Sequence, residues 1–302
     1  MATEIPFVRE MDFTYGEADR LSSLVRRVVA RNPSLFTLYG TNTYLVGRGT
    51  VAVIDPGPLL GEHQAALRRA LQGEAVSHVL VTHRHLDHCE SALAFARETG
   101  AVLAAGRRPP AGPLPPRDGL EEAADPALVA DLVLAAGDRL EGPDWDLEAV
   151  PTPGHTSDHL CFALAAGRVL FTGDHVMGWS TSVVIPPDGD MAAYRASLRL
   201  LQERDDRAWA YLPGHGPSVG DPVPYVAALV AHRQEREQEI LEALAAGPCS
   251  IPEIVRLVYA AVDPRLHAAA GRSVLAHLRE LTAEGRVAGE GEPGLGALYR
   301  LV

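Results

Sequence analysis

The sequence predicts an α/β fold followed by a smaller, mostly helical domain, and three observations carry that expectation. In the first third, apolar runs of strand length alternate with stretches of helical spacing, giving strand, helix, strand, helix, strand. Four segments end an apolar run in a turn that carries histidine or aspartate, the way a β-scaffold presents functional side chains at one rim. After Gly220-Asp221-Pro222 the pattern changes to long helical periodicity, which sets the expected domains at 1–222 and 223–302.

Length and composition agree with this. A chain of 302 residues suits one or two domains, and 47% apolar with 22% charged residues is ordinary for a globular protein. No apolar run approaches the ~20 residues of a membrane span, and the N-terminal residues lack the basic and apolar regions of a signal peptide. Cys89, Cys161 and Cys249 are scattered and odd in number, so a reducing, cytoplasmic location is expected and Cys89 reads as a small buried thiol. The net charge is −12 and every basic residue other than histidine is arginine. Such a surface is poorly suited to sequence-independent nucleic-acid binding, which relies on phosphate neutralisation, although a local basic groove stays compatible with it.

In chain order, Leu21, Val25 and Val28 have helical spacing and predict a helix within 18–31. Residues 43–46 and 51–54 flank Gly47-Arg48-Gly49-Thr50, a hairpin signature, and the second strand ends in the turn Asp55-Pro56-Gly57. A helix is expected over 59–71, a strand over 76–81, a helix over 90–99 and a strand over 101–105. Residues 106–125 are rich in proline and arginine (Arg107, Arg108 and Arg117) and read as a surface loop or a lid. Strands resume near 132–134 and 147–150, and a hairpin turns at Ala166-Gly167. A helix over 191–202 puts Tyr194, Leu198 and Leu201 on one face, and a strand follows over 208–212. Beyond it come a long helix over 224–246, a second helix opened by the Ser250/Glu253 capping box, and a third over 273–284. Two short strands around a Gly-rich turn complete a winged-helix pattern.

The chemistry centres on Thr82-His83-Arg84-His85-Leu86-Asp87-His88, directly after the run Val79-Leu80-Val81. Histidines two apart on an extended segment point the same way, and the turn lets Asp87 and His88 face a second point. Imidazole is the commonest metal ligand, and a neighbouring carboxylate suits a hard dication. Without a metal, the cluster would gather polar rings around one point at a cost in desolvation. Four such groups need partners, and three downstream turns offer His155, Asp174 and His215.

With His-x-His-x-Asp-His, these pieces resemble the metallo-β-lactamase fold superfamily from about Thr41 to Val219. The winged-helix tail, with Pro153-Gly154-His155-Thr156-Ser157-Asp158-His159 and Gly173-Asp174-His175-Val176-Met177-Gly178, is similar to the β-lactamase-like-2 group, related to glyoxalase II. The resemblance implies an αββα sandwich with a C-terminal winged-helix-like domain. It assigns His83, His85 and His155 to one metal and Asp87, His88 and His215 to the other, with Asp174 bridging. It also has Asp55 support the ligands from behind, where the plainer reading is a turn aspartate. The implied cofactor is a pair of divalent ions, Zn2+ first, with Fe or Mn compatible with two carboxylates.

The expected activity is hydrolysis of an ester or thioester by a metal-bridging hydroxide, with Asp87 accepting or returning a proton. The enzymatic alternative is a single-strand endoribonuclease, because the resembling group includes one, with the Arg107, Arg108 and Arg117 loop as clamp. The third reading is a ligand-sensing DNA-binding protein. Residues 223–302 carry eight arginines against ten acids, a net of −2, which disfavours it. A small-molecule substrate is therefore expected, with RNA the rival partner and neither DNA nor a membrane. His175 is expected at the substrate pocket. His159 reads as a substrate contact or a packed imidazole, and Trp179 as pocket lining or core. His63, His78, His232, His267 and His277 read as surface or interface residues.

Overall fold

The computed structural model describes residues 4–107, 124–125, 127–207, 209–291 and 294–302. Two sheets lie face to face. The first has seven strands in sequential order: β1 (Ala18–Arg20), β2 (Val25–Val29), β3 (Asn42–Val46), β4 (Thr50–Ile54), β5 (Ala75–Val81), β6 (Val102–Gly106) and β7 (Leu132–Leu134). Pairing is antiparallel from β1 to β4 and parallel from β4 to β7. Helices α1 (Gly61–Ala70), the short α2 (Leu86–Cys89) and α3 (Ala92–Thr99) fall within the crossovers that parallel pairing requires.

The second sheet contains β8 (Arg139–Glu141), β9 (Asp146–Pro151), β10 (Leu160–Leu164), β11 (Val169–Gly173) and β12 (Ala210–Pro213). Helix α4 (Met191–Glu203) connects the last two, which pair in parallel.

The layering follows from period-two alternation on strands buried on both faces. On β4, Ala52 and Ile54 enter the core between the sheets, while Val51 and Val53 face α1 and α3. On β10, Leu160, Phe162 and Leu164 enter the same inner core, while Cys161 and Ala163 pack under α4. Helix, sheet, sheet, helix is the result, the expected αββα sandwich.

Residues 18–31 depart from the helix expected there. Val25, Val28 and Val29 are β-branched, and β2 pairs along its length with β3. Arg26 and Arg27 meet Glu74 at 2.6 Å and Asp19 at 3.1 Å. Long-range pairing thus overrides the local spacing.

The C-terminal region comprises α5 (Pro222–Ala245), β13 (Cys249–Ser250), α6 (Ile251–Val258), α7 (His267–Ala283), β14 (Val287–Gly289) and β15 (Leu298–Leu301). The capping box between Ser250 and Glu253 is present, with Glu253 accepting from the Ser250 amide at 2.8 Å. Helix α7 begins six residues before the expected 273, after a turn in which Asp263 accepts from the Arg265 amide. Helix α5 serves two cores. Tyr225, Val226 and Leu229 pack under the second sheet, whereas Ile240, Ala243 and Leu244 pack with α6 and α7.

Two histidines expected at the surface or an interface are in the interior. His63 is buried beneath β3, 2.9 Å from the Thr43 hydroxyl. His277 is fully buried at the junction of α4, α5 and α7. No helix among the described residues is long and apolar enough to cross a membrane.

Candidate metal centre

Seven side chains converge where β5, β9, β11 and β12 end. The turn from β5 into α2 brings His83, His85, Asp87 and His88, the β9–β10 turn brings His155, and the ends of β11 and β12 bring Asp174 and His215. The ends are fastened to one another. Leu160 N donates to Thr82 O at 2.8 Å, Gly214 N to Gly173 O at 2.8 Å, and Asn42 N to Gly214 O at 2.7 Å. The Asn42 side-chain amide also donates to Pro213 O and Gly216 O. Glycine is required where the ligands crowd. A Cβ on Gly214 would lie 2.5 Å from Asp174 Oδ1, and one on Gly173 (φ +46°) would lie 2.7 Å from His159 Nε2.

Two groups of donors form, joined by a third set, His83, His88 and Asp174. His85 Nδ1 lies 2.9 Å from His83 Nε2 and 3.1 Å from His155 Nε2. His215 Nε2 lies 3.2 Å from His88 Nε2 and 3.1 Å from Asp87 Oδ2. Asp174 stands between them, with Oδ2 3.3 Å from His215 Nε2 and 3.8 Å from His155 Nε2. Donors held at ~2.0–2.1 Å around a tetrahedral ion sit about 3.3 Å apart, so the spacing suits a shared cation in each group.

Charge agrees with spacing. Burial pushes His83 and His155 below the usual imidazole range and His85 down to about 3, so these three offer neutral lone pairs. Burial also works against charge on His88 and His215, but Asp174 and Asp87 outweigh it and raise both, His215 to about 9. The two carboxylates therefore draw positive charge to this point. Asp87 Oδ1 and Asp174 Oδ1 have no hydrogen-bond partner among the described residues, atoms a cation would engage. Donor chemistry, spacing and orphaned oxygens together fit a divalent-metal site.

Three of the imidazoles are turned by the bond the other nitrogen makes. His88 Nδ1 donates to Asp55 Oδ2 at 2.8 Å, His155 Nδ1 to Val183 O at 2.6 Å, and His215 Nδ1 to Gly40 O at 3.2 Å. Asp55 also accepts from Thr82 N and Thr82 Oγ1. Asp55 is thus buried beneath the turn that carries the candidate ligands and bonded to it.

The residues expected to touch substrate divide. His159 is a packed imidazole: Nδ1 donates to Thr152 Oγ1 at 2.8 Å, Nε2 accepts from Asp174 N at 3.1 Å, and the ring stacks on His83. Both ring nitrogens are committed within the protein. His175 is fully buried against Tyr194, with ring centroids 4.9 Å apart, and presents no accessible atom to a pocket. Trp179 packs on Gly216, next to His215.

The proline-rich stretch lies largely outside the described residues, Arg108 and Arg117 included. Its far end returns to the ligands. Ala124 bridges His85, and Asp125 N donates to Arg84 O at 2.8 Å. Sequence reasoning missed Thr41, whose hydroxyl reaches Asp87 Oδ2 at 3.4 Å, and the Val183 and Gly40 carbonyls. It also missed Arg84, which lies inside the motif and makes a buried ion pair with Asp158 at 3.0 Å. Main-chain acceptors leave no residue-type signal, whereas an arginine between two ligand histidines did offer one. One further donor group, Glu237, His277 and Glu280, lies at the α4–α5–α7 junction. Arg195 already bridges its two carboxylates.

Comparisons with known proteins agree. Residues 36–215 match the model of the Metallo-beta-lactamase superfamily, and 250–295 match that of the Beta-lactamase associated winged helix domain. The chain is 34% identical over 251 residues to thioesterase pkgB of Emericella nidulans, covering 82% of this chain but only 65% of that protein. It is 32% identical to the beta-lactamase-like protein 2 homolog of Drosophila melanogaster, over 89% of this chain and 91% of that one. A crystal structure of a metallo-beta-lactamase family protein from Thermus thermophilus superposes with a TM-score of 0.75 at 25% identity, over 94% of this chain and all of that one. With its clustered histidines and aspartates at the strand ends and its C-terminal winged helix, the chain belongs to the metallo-beta-lactamase superfamily and is a hydrolase.

Proposed function

We propose that the chain hydrolyses an ester or thioester of a small molecule at a centre holding two divalent ions, Zn2+ first. The observation that carries this reading is the meeting of seven donor side chains in two groups around Asp174. His83, His85 and His155 would hold one ion and Asp87, His88 and His215 the other, with Asp174 shared. When bound, two such ions supply Lewis acidity and a hydroxide nucleophile at neutral pH.

The chain's own residues do the rest. Asp87 keeps Oδ2 toward His215 and Thr41, and its carboxylate accepts a proton from the attacking water and returns it to the leaving group. Asp55 holds His88 so that Nε2 faces the ligand cluster, and His159 holds Asp174 through its amide. Trp179, beside His215, lines the substrate side. Serine catalysis is not required, and the scattered free cysteines suit a reducing cytoplasm.

A carbonyl substrate is favoured over RNA on two grounds. A relative that aligns over most of this chain is named a thioesterase. The chain also has 6% aromatic residues and a net charge of −12, whereas an RNA strand needs a cationic groove with stacking rings. The test compares kcat/KM for thioesters, esters and labelled single-stranded RNA on one metal-loaded preparation. Thioester or ester turnover that is lost in His85→Ala is expected. Metal-dependent RNA cleavage lost in that variant, without any esterase or thioesterase activity, would reverse the ranking.

A further inference from the structure

Between Gly173, where β11 ends, and Met191, where α4 begins, the chain forms no helix or strand. This segment starts with the candidate ligand Asp174, and it also carries Val183, whose carbonyl accepts from His155 Nδ1 at 2.6 Å. Outside helix and strand, such a carbonyl depends on bonds from other parts of the chain to its segment, side-chain latches among them. Two of these come from α5. Tyr225 Oη donates to Met177 O at 2.6 Å, and Arg233 Nη2 donates to Ser182 O, one residue before Val183.

Arg233 is unusual for a buried arginine. It is 3% exposed, and among the described residues it makes no ion pair with a carboxylate. Burying a guanidinium without a counter-charge is costly, and the side chain spends that cost on one carbonyl and on the Tyr194 ring, 5.0 Å away. Tyr194 and Ser182 in turn both donate to His175 O, at 3.0 and 2.9 Å. Arg233, Tyr194, Ser182 and Val183 thus form a connected path that ends on a candidate metal ligand. Its other end lies in the C-terminal region, where the neighbouring Arg236 donates to Val258 O at 2.9 Å.

We propose that Arg233 is a positioning residue for His155, and that α5 thereby makes metal retention at the three-histidine group depend on the C-terminal domain. This rests on the metal reading of the centre. Loss of a direct outer partner of a ligand histidine weakens metal binding ~10–100-fold, and Arg233 acts one carbonyl further out, so about tenfold is expected.

The experiment titrates Zn2+ into the full chain against a chromogenic chelator and records the Co2+ spectrum, for wild type, Arg233→Met, Arg233→Lys and Tyr225→Phe. Thermal melting of each metal-free protein reports folding. Arg233→Met should bind one of two ions about tenfold more weakly with an altered Co2+ spectrum, and Arg233→Lys should fall between it and wild type. Tyr225→Phe removes the latch that does not adjoin Val183 and should keep wild-type affinity even where it melts earlier. Wild-type affinity and spectrum in folded Arg233→Met overturn the proposal, as they do in Arg233→Lys alone if Arg233→Met does not fold. An equal loss in Tyr225→Phe also overturns it, because the effect would then be general loosening. A wild-type protein that binds no metal defeats the metal assignment itself and the proposal with it.

Discussion

Replacing Asp55 with asparagine isolates the anchor beneath the ligand turn. Asparagine preserves the shape, and it tolerates the left-handed backbone at this position (φ 51°), so the turn itself is not strained. What changes is the hydrogen-bond inventory. The carboxylate accepts three bonds, from Thr82 N at 2.8 Å, Thr82 Oγ1 at 2.7 Å and His88 Nδ1 at 2.8 Å. An amide offers one accepting oxygen. If that oxygen keeps Thr82 N, the NH2 group faces His88 Nδ1–H, and two donors oppose each other unless the imidazole shifts its proton to Nε2. That proton would then occupy the atom turned toward Asp87, Asp174 and His215. If the amide flips, Thr82 N loses its acceptor instead. Either way a buried donor is left unpaired, a cost of about 1–3 kcal/mol, or roughly 5- to 150-fold. Metal titration with a chelator competitor should show the His88 group weakened ~10–100-fold while the three-histidine group keeps its affinity. Two ions bound to Asp55→Asn with wild-type constants would refute this account of how His88 is oriented.

Other outcomes follow from the same geometry. Asp174→Ala should show reduced metal content by elemental analysis and lost hydrolysis, since this carboxylate lies within 3.8 Å of donors in both groups; full occupancy with activity would remove its bridging role. His63 is held neutral by burial, with its pKa pushed down to about 4. An unfolded histidine titrates near 6.5, so the unfolded chain binds the proton first. Stability should fall as pH drops from about 6.5 toward 4, by up to ~3 kcal/mol from this residue. In metal-free protein, urea midpoints between pH 7 and 5 should drop less in His63→Asn than in wild type, and equal slopes would argue against the assignment. With a net charge of −2 over 223–302, low-salt gel shifts should show no tight complex with mixed duplex DNA, and a nanomolar complex with a steep salt slope would contradict that.

The seven candidate ligands were legible in the sequence because metal donors are a restricted set of residue types, and here each closely follows a strand, on a turn or, for Asp87 and His88, on the short helix α2. The sandwich was legible because β4, β5 and β10 are apolar on both faces and their crossovers have helical spacing. The capping box of α6 was equally local: one serine and one glutamate three residues apart satisfy each other. Residues 18–31 were misread because Val25 and Val28 fit a helix as well as a strand, and only pairing with β3 chooses between them. The fates of His159, His175, His63 and His277 depended on what packs around each ring, which a single sequence does not encode at any fixed spacing. The orientation of the ligands belongs to the tertiary structure for the same reason. His155 is turned by a carbonyl 28 residues away, His88 by a carboxylate 33 residues away and His215 by a carbonyl 175 residues away. Residue type announces that a side chain can bind a metal; only folding decides which nitrogen it offers and what holds it there.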